Sequence, residues 1–321
     1  MWQPFLFALA GSIVLGLIMV PLMRRLKFGQ TVREDGPRTH LHKTGIPTMG
    51  GPIFIIPIVA ISLAYSSDLV SSLVNVTAVV LFAAVGMVDD LIKIMKKDHD
   101  GLSVIQKTVL LLLISAGYAV YSVVLGPAGN EVIIPFSQMA GTIVIPPYIY
   151  IPFLIIFLYW TTNSANLTDG VDGLASSVSI FIFVFLFSAC RFLDAGMDDT
   201  RIMLLSAIGA VLGFLLFNAH PARIFMGDTG SMALGALIGV ISIRMGVPWI
   251  IFLVGIIFIV EALSVVIQVG YYKLTQRRVF KMAPIHHHFE LSGWRENKVV
   301  VVFCLVTAAG GVLSYWLLGL F

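Results

Sequence analysis

WQPFLFALAGSIVLGLIMVPLM, residues 2–23, runs straight into Arg24-Arg25-Leu26-Lys27. The run holds no charged side chain and matches the ~17–25 residues with which a helix crosses a bilayer. Basic residues follow it and none precedes it, the reverse of a cleavable signal peptide, so it reads as a retained first span with its N-terminus outside. The rest of the chain repeats the pattern. Of 321 residues, 58% are hydrophobic and 12% charged, with a mean hydropathy of +0.97, which is too apolar for a soluble globule. Further apolar runs at 47–66, 73–91, 105–125, 147–162, 173–192, 201–219, 229–245, 247–271 and 297–320 bring the expected spans to ten. The expected fold class is an all-α polytopic integral membrane protein, a single domain over residues 1–321.

An even number of spans places both termini outside, and the charges agree. Inner segments then carry Arg24, Arg25, Lys27, Arg33, Arg38 and Lys43; Lys93, Lys96, Lys97 and Lys107; Arg223; and Lys273, Arg277, Arg278, Lys281, Arg295 and Lys298. Only Arg191, Arg201 and Arg244 fall outside, the asymmetry that positive-inside sorting produces. The turn between the eighth and ninth runs is very short, so nine helices with the other parity is the alternative. Residues 126–146 lack Lys and Arg and alternate apolar side chains, Val132, Ile134, Phe136 and Ile143, Ile145, around Gly129-Asn130 and Gly141. That alternation predicts a small β-hairpin on the outer face. Gly209-x-x-x-Gly213 and Gly235-x-x-x-Gly239 predict close helix packing. Cys190 and Cys304 fall near opposite leaflets and predict no disulfide.

Polar chemistry gathers on the inner side. In Asn218-Ala-His-Pro-Ala-Arg-Ile-Phe-Met-Gly-Asp228-Thr-Gly-Ser231, the acid taken alone reads as a cap for the helix that follows. Asp89-Asp90-Leu-Ile-Lys93 closes the third run. Two adjacent acids there oppose the helix dipole and repel each other, which favours a role with a divalent cation or a proton over the plain Asp89–Lys93 pair at i,i+4. Asn163, Asn166, Asp169 and Asp172 recur every third residue; on helical turns they form one polar stripe, while Asp169 or Asp172 as cap of the sixth span is the plainer reading. Lys43 and Thr48 sit in a glycine-rich loop, His42 to Gly51, suited to an anionic group but not a Walker A loop. Residues 273–281 interleave basic and apolar side chains and read as an anionic-lipid contact. His286, His287 and His288 fit zinc spacing poorly and suit a phosphate contact better. Glu261 alone lies deep within a span. A secondary transporter would concentrate such groups at mid-membrane, whereas an enzyme joining a soluble ionic substrate to a lipid headgroup needs them at one interface.

In order, Pro47-Thr-Met-Gly-Gly51, Asp89-Asp90-x-x-Lys93, Asn166-Leu-Thr-Asp-Gly-Val-Asp-Gly-Leu174, Pro221-Ala-Arg-Ile-Phe-Met-Gly-Asp-Thr-Gly-Ser231 and His286-His-His-Phe-Glu290 closely resemble the motifs of the phospho-N-acetylmuramoyl-pentapeptide-transferase family. These enzymes form a branch of the polyprenyl-phosphate N-acetylhexosamine-1-phosphate transferases. The resemblance covers nearly the whole chain; Ile46 replaces the usual Thr, and Val302 a common Arg. It implies transfer of phospho-N-acetylmuramoyl-pentapeptide from its UDP carrier to undecaprenyl phosphate, giving lipid I and UMP with Mg²⁺, on the cytoplasmic face of a bacterial plasma membrane. It further implies that Asp228 is the metal ligand and that Asp89 and Asp90 are a catalytic pair near Lys107. Lys43, Thr48, Asn166, Asp169, Asp172, Asn218 and Phe225 become nucleotide and phosphate surroundings, and His286, His287 and His288 substrate-positioning groups. Membrane lipid, no nucleic acid and a family-typical homodimer complete the expected partners. The alternatives are a transferase taking UDP-N-acetylglucosamine and, more distantly, a transporter of anionic lipid or nucleotide.

Overall fold

The computed structural model describes residues 2–26, 45–96, 100–127, 129–133, 141–193 and 197–319. Its helices are α1 (Gln3–Arg25), α2 (Pro52–Ala64), α3 (Leu69–Lys96), α4 (Val104–Val124), α5 (Pro147–Thr168), α6 (Leu174–Leu193), α7 (Asp198–Asn218), α8 (Gly227–Arg244), α9 (Ile251–Val254), α10 (Ile256–Thr275), α11 (Ile285–Glu290) and α12 (Glu296–Leu317). Among the described residues, seven helices are long and apolar enough to cross a membrane: α1, α3, α4, α6, α7, α10 and α12. The architecture is that of a polytopic membrane protein.

Several elements depart from the limits expected of them. The run at 47–66 yields a helix only over Pro52–Ala64. Gly50 and Gly51 before it donate their amides to Phe225 and Met226 carbonyls at 2.9 and 3.1 Å, so this stretch is bonded to another segment and not to its own helix. The run at 247–271 is broken into a 3-10 turn (Pro248–Ile250), α9 and α10, the last beginning just after Gly255. α3 continues past the expected end at 91 to Lys96, with Lys93 and Lys96 in its last turn. Asp89 and Asp90 therefore do not sit against the negative end of the helix dipole, and that part of the case for a role beyond helix stability falls away.

α8 occupies the centre. Every residue from Thr229 to Ile243 is buried, the all-round pattern of a helix enclosed by others. α3 and α5 flank it, and the pairing with α3 is close: a β-carbon at Gly86 would overlap the Asp228 backbone carbonyl. The two Gly-x-x-x-Gly motifs serve packing within the chain, Gly209 and Gly213 against Phe5 to Ser12 of α1, Gly235 and Gly239 against Leu158 to Thr162 of α5. The hairpin forms as two short antiparallel strands, β1 (Glu131–Ile133) and β2 (Thr142–Val144), with Val132 opposite Ile143. Ile133 bonds the turn after α8 through Gly246 at 3.0 Å and the Trp249 indole at 2.8 Å. Ile134 and Phe136, expected to extend the first strand, lie outside the described residues. Both cysteines are free and buried.

Candidate active site

The first turn of α8 meets the last third of α3. Gly227, with φ of +69°, lets the chain swing from the 219–226 segment into the helix, a conformation that L side chains resist. The cap position of α8, Met226, supplies no side-chain bond. Asp90 does that work from α3: its Oδ1 accepts the Asp228 amide at 3.0 Å, and its Oδ2 accepts the Thr229 amide and hydroxyl at 2.9 and 2.7 Å. These are the free amides that an N-cap side chain ordinarily satisfies. Asp228 is therefore not the cap of its helix, and its carboxylate is left for other partners.

Those partners converge from three helices. Ser103 and Gln106 form a capping box that starts α4, which puts Lys107 one turn in, with Nζ 2.8 Å from Asp228 Oδ2. From α3, Lys93 Nζ lies 3.0 Å from the same oxygen and 2.6 Å from Asp89 Oδ2. From α5, the Asn166 amide donates to Asp228 Oδ1 and to Ser231 Oγ, each at 2.8 Å. The other Asp89 oxygen accepts the Leu102 amide at 2.8 Å and so ties the α3–α4 connection to the cluster. Asp89 and Asp90 are 2% and 5% exposed. Buried carboxylates require compensation; the Lys93 ammonium supplies it to Asp89, and the Asp228 and Thr229 donors supply it to Asp90.

The matched residues identify the family. The model of glycosyl transferase family 4 matches residues 72–246, a stretch holding α3 to α8 and this cluster. The phospho-N-acetylmuramoyl-pentapeptide-transferase of Acetivibrio thermocellus is 46% identical over 316 residues, 98% of this chain and 94% of that protein. That of Clostridium kluyveri is 46% identical over 297 residues, 91% of each, and that of Clostridium beijerinckii 42% over 313 residues, 97% and 94%. The chain belongs to the phospho-N-acetylmuramoyl-pentapeptide-transferase family. It is a transferase.

Around the cluster of this family member, the remaining expected residues fall into three groups. Thr48 is buried beside Gly227 and Asp90, and Phe225 is half-buried, its backbone bonded to Pro47 and Gly50. Lys43 lies outside the described residues. The polar stripe ends early, because α5 stops at Thr168 and only Asn163 and Asn166 are helical. Asp169 follows in the turn, half-buried. Burial, and then the charges of Asp228, Asp90 and Asp172, push its carboxyl well above the usual range. The Asp172 Oδ2 accepts the Ala222 amide at 3.0 Å and lies 3.2 Å from His220 Nδ1. Glu296, at the start of α12, completes this clasp 3.7 Å from the same His220 nitrogen. Asn218 is buried as a strut, accepting from Ser176 at 3.0 Å and donating to the Ile224 carbonyl at 3.1 Å.

The three histidines have three different surroundings. His286 is fully buried, with Nδ1 3.0 Å from Oε1 of the equally buried Glu261 of α10, and its ring lies against Gly170. The intramembrane acid thus has its partner in α11. His287 pairs with Glu290 at 2.8 Å, and His288 accepts the Lys281 amide at 3.1 Å. The sequence marks Lys93 as a helix neighbour of Asp89 and a motif residue but not as a partner of Asp228, and it marks neither His220 nor Glu296. The i,i+4 spacing did mark Lys93, but no local signal marks the other two, which meet Asp172 only through the fold.

Proposed function

We propose that this chain transfers phospho-N-acetylmuramoyl-pentapeptide from its UDP carrier to undecaprenyl phosphate, forming lipid I and releasing UMP. The observation that carries the proposal is the convergence of Lys93, Lys107 and Asn166 on Asp228, next to Asp89, at one end of the helix bundle. The names of the relatives supply the substrate class. We place the reaction at the cytoplasmic face of a bacterial plasma membrane, in a single domain with ten spans and both termini outside, supported by the one-sided Lys and Arg. A homodimer is part of the same proposal.

Mg²⁺ fits the Asp228 cluster better than the Asp172–His220–Glu296 clasp, whose ligand atoms gather within 4.8 Å. Mg²⁺ prefers oxygen donors, and the clasp includes a histidine and carboxylate oxygens already bonded to the Ala222 and Asp172 amides. The Asp228 cluster offers only carboxylate oxygens as ligands, those of Asp228 and the Asp89 Oδ2 that faces the Lys93 ammonium at 2.6 Å. Asp228 would hold the ion, with Asp89 beside it; bound there, Mg²⁺ would neutralise phosphate oxygen charge as the transferred group changes partners.

The chain's own groups divide the remaining work. Asn166 fixes the Asp228 carboxylate, Lys93 compensates the buried Asp89, and Lys107 supplies ammonium charge to the diphosphate. A phosphate monoester has its second pKa near ~6, so the lipid phosphate is largely dianionic and is itself the nucleophile. One of its oxygens bonds to the sugar-bearing phosphorus as the bond to the uridine-side phosphate breaks and UMP leaves. Asp89 accepts any remaining proton. Asp90, committed to the amides of α8, does not. Asp169, Asp172, Thr48, Lys43, Asn218 and Phe225 shape the nucleotide side, and the histidines hold the segment that closes it.

Purified protein given Mg²⁺, undecaprenyl phosphate and either UDP-N-acetylmuramoyl-pentapeptide or UDP-N-acetylglucosamine tests this. UMP and lipid product are expected with the muramoyl substrate alone, and no UMP without the lipid. Product from N-acetylglucosamine instead would overturn the substrate assignment. A stoichiometric burst of UMP in lipid-free enzyme would require a covalent phospho-sugar and overturn the direct attack.

A further inference from the structure

Asp228 Oδ2 is crowded. A carboxylate oxygen offers about two lone-pair positions, and this one faces two ammonium groups, Lys107 at 2.8 Å and Lys93 at 3.0 Å. Oδ1 is partly taken by Asn166. A cation arriving at Asp228 therefore meets a carboxylate whose charge is already compensated. The two lysines differ in what else holds them. Lys93 keeps Asp89 Oδ2 at 2.6 Å if Asp228 is withdrawn, whereas Lys107 has, among the described residues, that same Asp89 oxygen at 3.9 Å. Both ammonium groups end flexible four-carbon stems, and both are partly exposed, 33% and 19% at the side chain.

We propose that Lys107 is an exchangeable counter-charge for Asp228: it neutralises the carboxylate before a divalent cation binds, and the bound cation releases its ammonium to the substrate phosphates. This rests on the reading of Asp228 as the metal ligand. Its consequence is coupling. The metal is weakened by the lysine until a phosphate group gives that ammonium another partner, so metal and diphosphate each favour the other, and reciprocally. The apparent redundancy of two lysines on one oxygen then has a function. Lys93 keeps the buried Asp89 compensated while Lys107 changes partners.

Mn²⁺ binding to the purified full chain, followed by electron paramagnetic resonance without substrate, tests the idea. Lys107→Gln is expected to bind Mn²⁺ about tenfold tighter than wild type, because a competing charge in contact with the ligand oxygen is gone. Lys93→Gln should change binding less. Lys107→Gln with a native melting temperature and unimproved Mn²⁺ affinity would overturn the proposal. Should that variant not fold, the wild type decides: Mn²⁺ should speed labelling of the Lys107 amine by a soluble acylating reagent, and an unchanged rate counts against the exchange. Asp228→Asn serves a separate purpose. If it retains wild-type Mn²⁺ binding, the assignment of the metal ligand itself fails.

Discussion

Asp228 turns its carboxylate to Lys93, Lys107 and Asn166 while Asp90 caps its helix. Asparagine would keep the shape of the side chain and its bond to Asn166 but remove the anionic oxygen. Asp228→Asn is therefore expected to lower UMP release by on the order of 100-fold or more with a melting temperature near wild type. Turnover close to wild type at ordinary Mg²⁺ would leave Asp228 a scaffold residue. Asp169 is the opposite case, an acid held at a cost. Its folded pKa is raised, so the folded state binds a proton more tightly than the unfolded chain. Stability from this group is greatest below the ordinary carboxylate value and declines as pH rises from about 4 toward the raised value. Asp169→Asn removes that decline. In chelator, its melting temperature should gain on wild type as pH rises, while substrate binding weakens; a difference independent of pH would mean that Asp169 titrates alike in both states. The acids themselves were legible in the sequence as a one-sided set. Their division of labour was not, because whether Asp89 or Asp90 faces the amides of α8 depends on how α3 is rotated against it.

At the scale of elements, the far end of the bundle has its own polar fastening. Asp199, in the first turn of α7, accepts the amides of Ser67 and Asp68, each at 2.8 Å, and the hydroxyls of Ser66, Ser67 and Ser72 at 3.0, 2.8 and 3.1 Å. One carboxylate thus fixes the turn between α2 and α3 to α7. Hydrogen bonds to a charged group contribute roughly 1.5–3 kcal/mol each when buried, less when exposed as here. Asp199→Ala is expected to cost about 2 kcal/mol in total and to lower the melting temperature by about 3 °C, with the UMP-release rate unchanged at temperatures where the protein is folded. An unchanged melting temperature would show that water replaces these bonds without loss. No local signal announces this clasp, since its serines and acid lie more than a hundred residues apart. By contrast, the hairpin, the interruption near Pro248 and the start of α4 at Ser103 are set by neighbouring residues.

For the whole molecule, the one-sided Lys and Arg lead to a topology that labelling can check. Single cysteines introduced within 128–142 should react with an impermeant reagent added to intact cells, and those within 30–42 and 282–294 should not. External labelling near His286 would invert the arrangement and put the site on the wrong side for a cytoplasmic UDP-sugar. Across the bundle, the Glu261–His286 pair joins α10 to α11 where neither residue touches solvent, fastening the histidine segment to the helices as one unit.

The sequence by itself determined the membrane class, the helical runs, the hairpin and the family motifs. Each follows from local composition: a bilayer selects long apolar segments, turn residues fix chain reversals, and motifs keep their order along the chain. Only the tertiary structure decided that α2 is short, that Asp90 caps α8, that Asp172 is clasped by His220 and Glu296, and that Glu261 meets His286. All of these are pairings between groups distant in sequence, and the energy of a buried polar group depends on which partner the packing brings within hydrogen-bond reach.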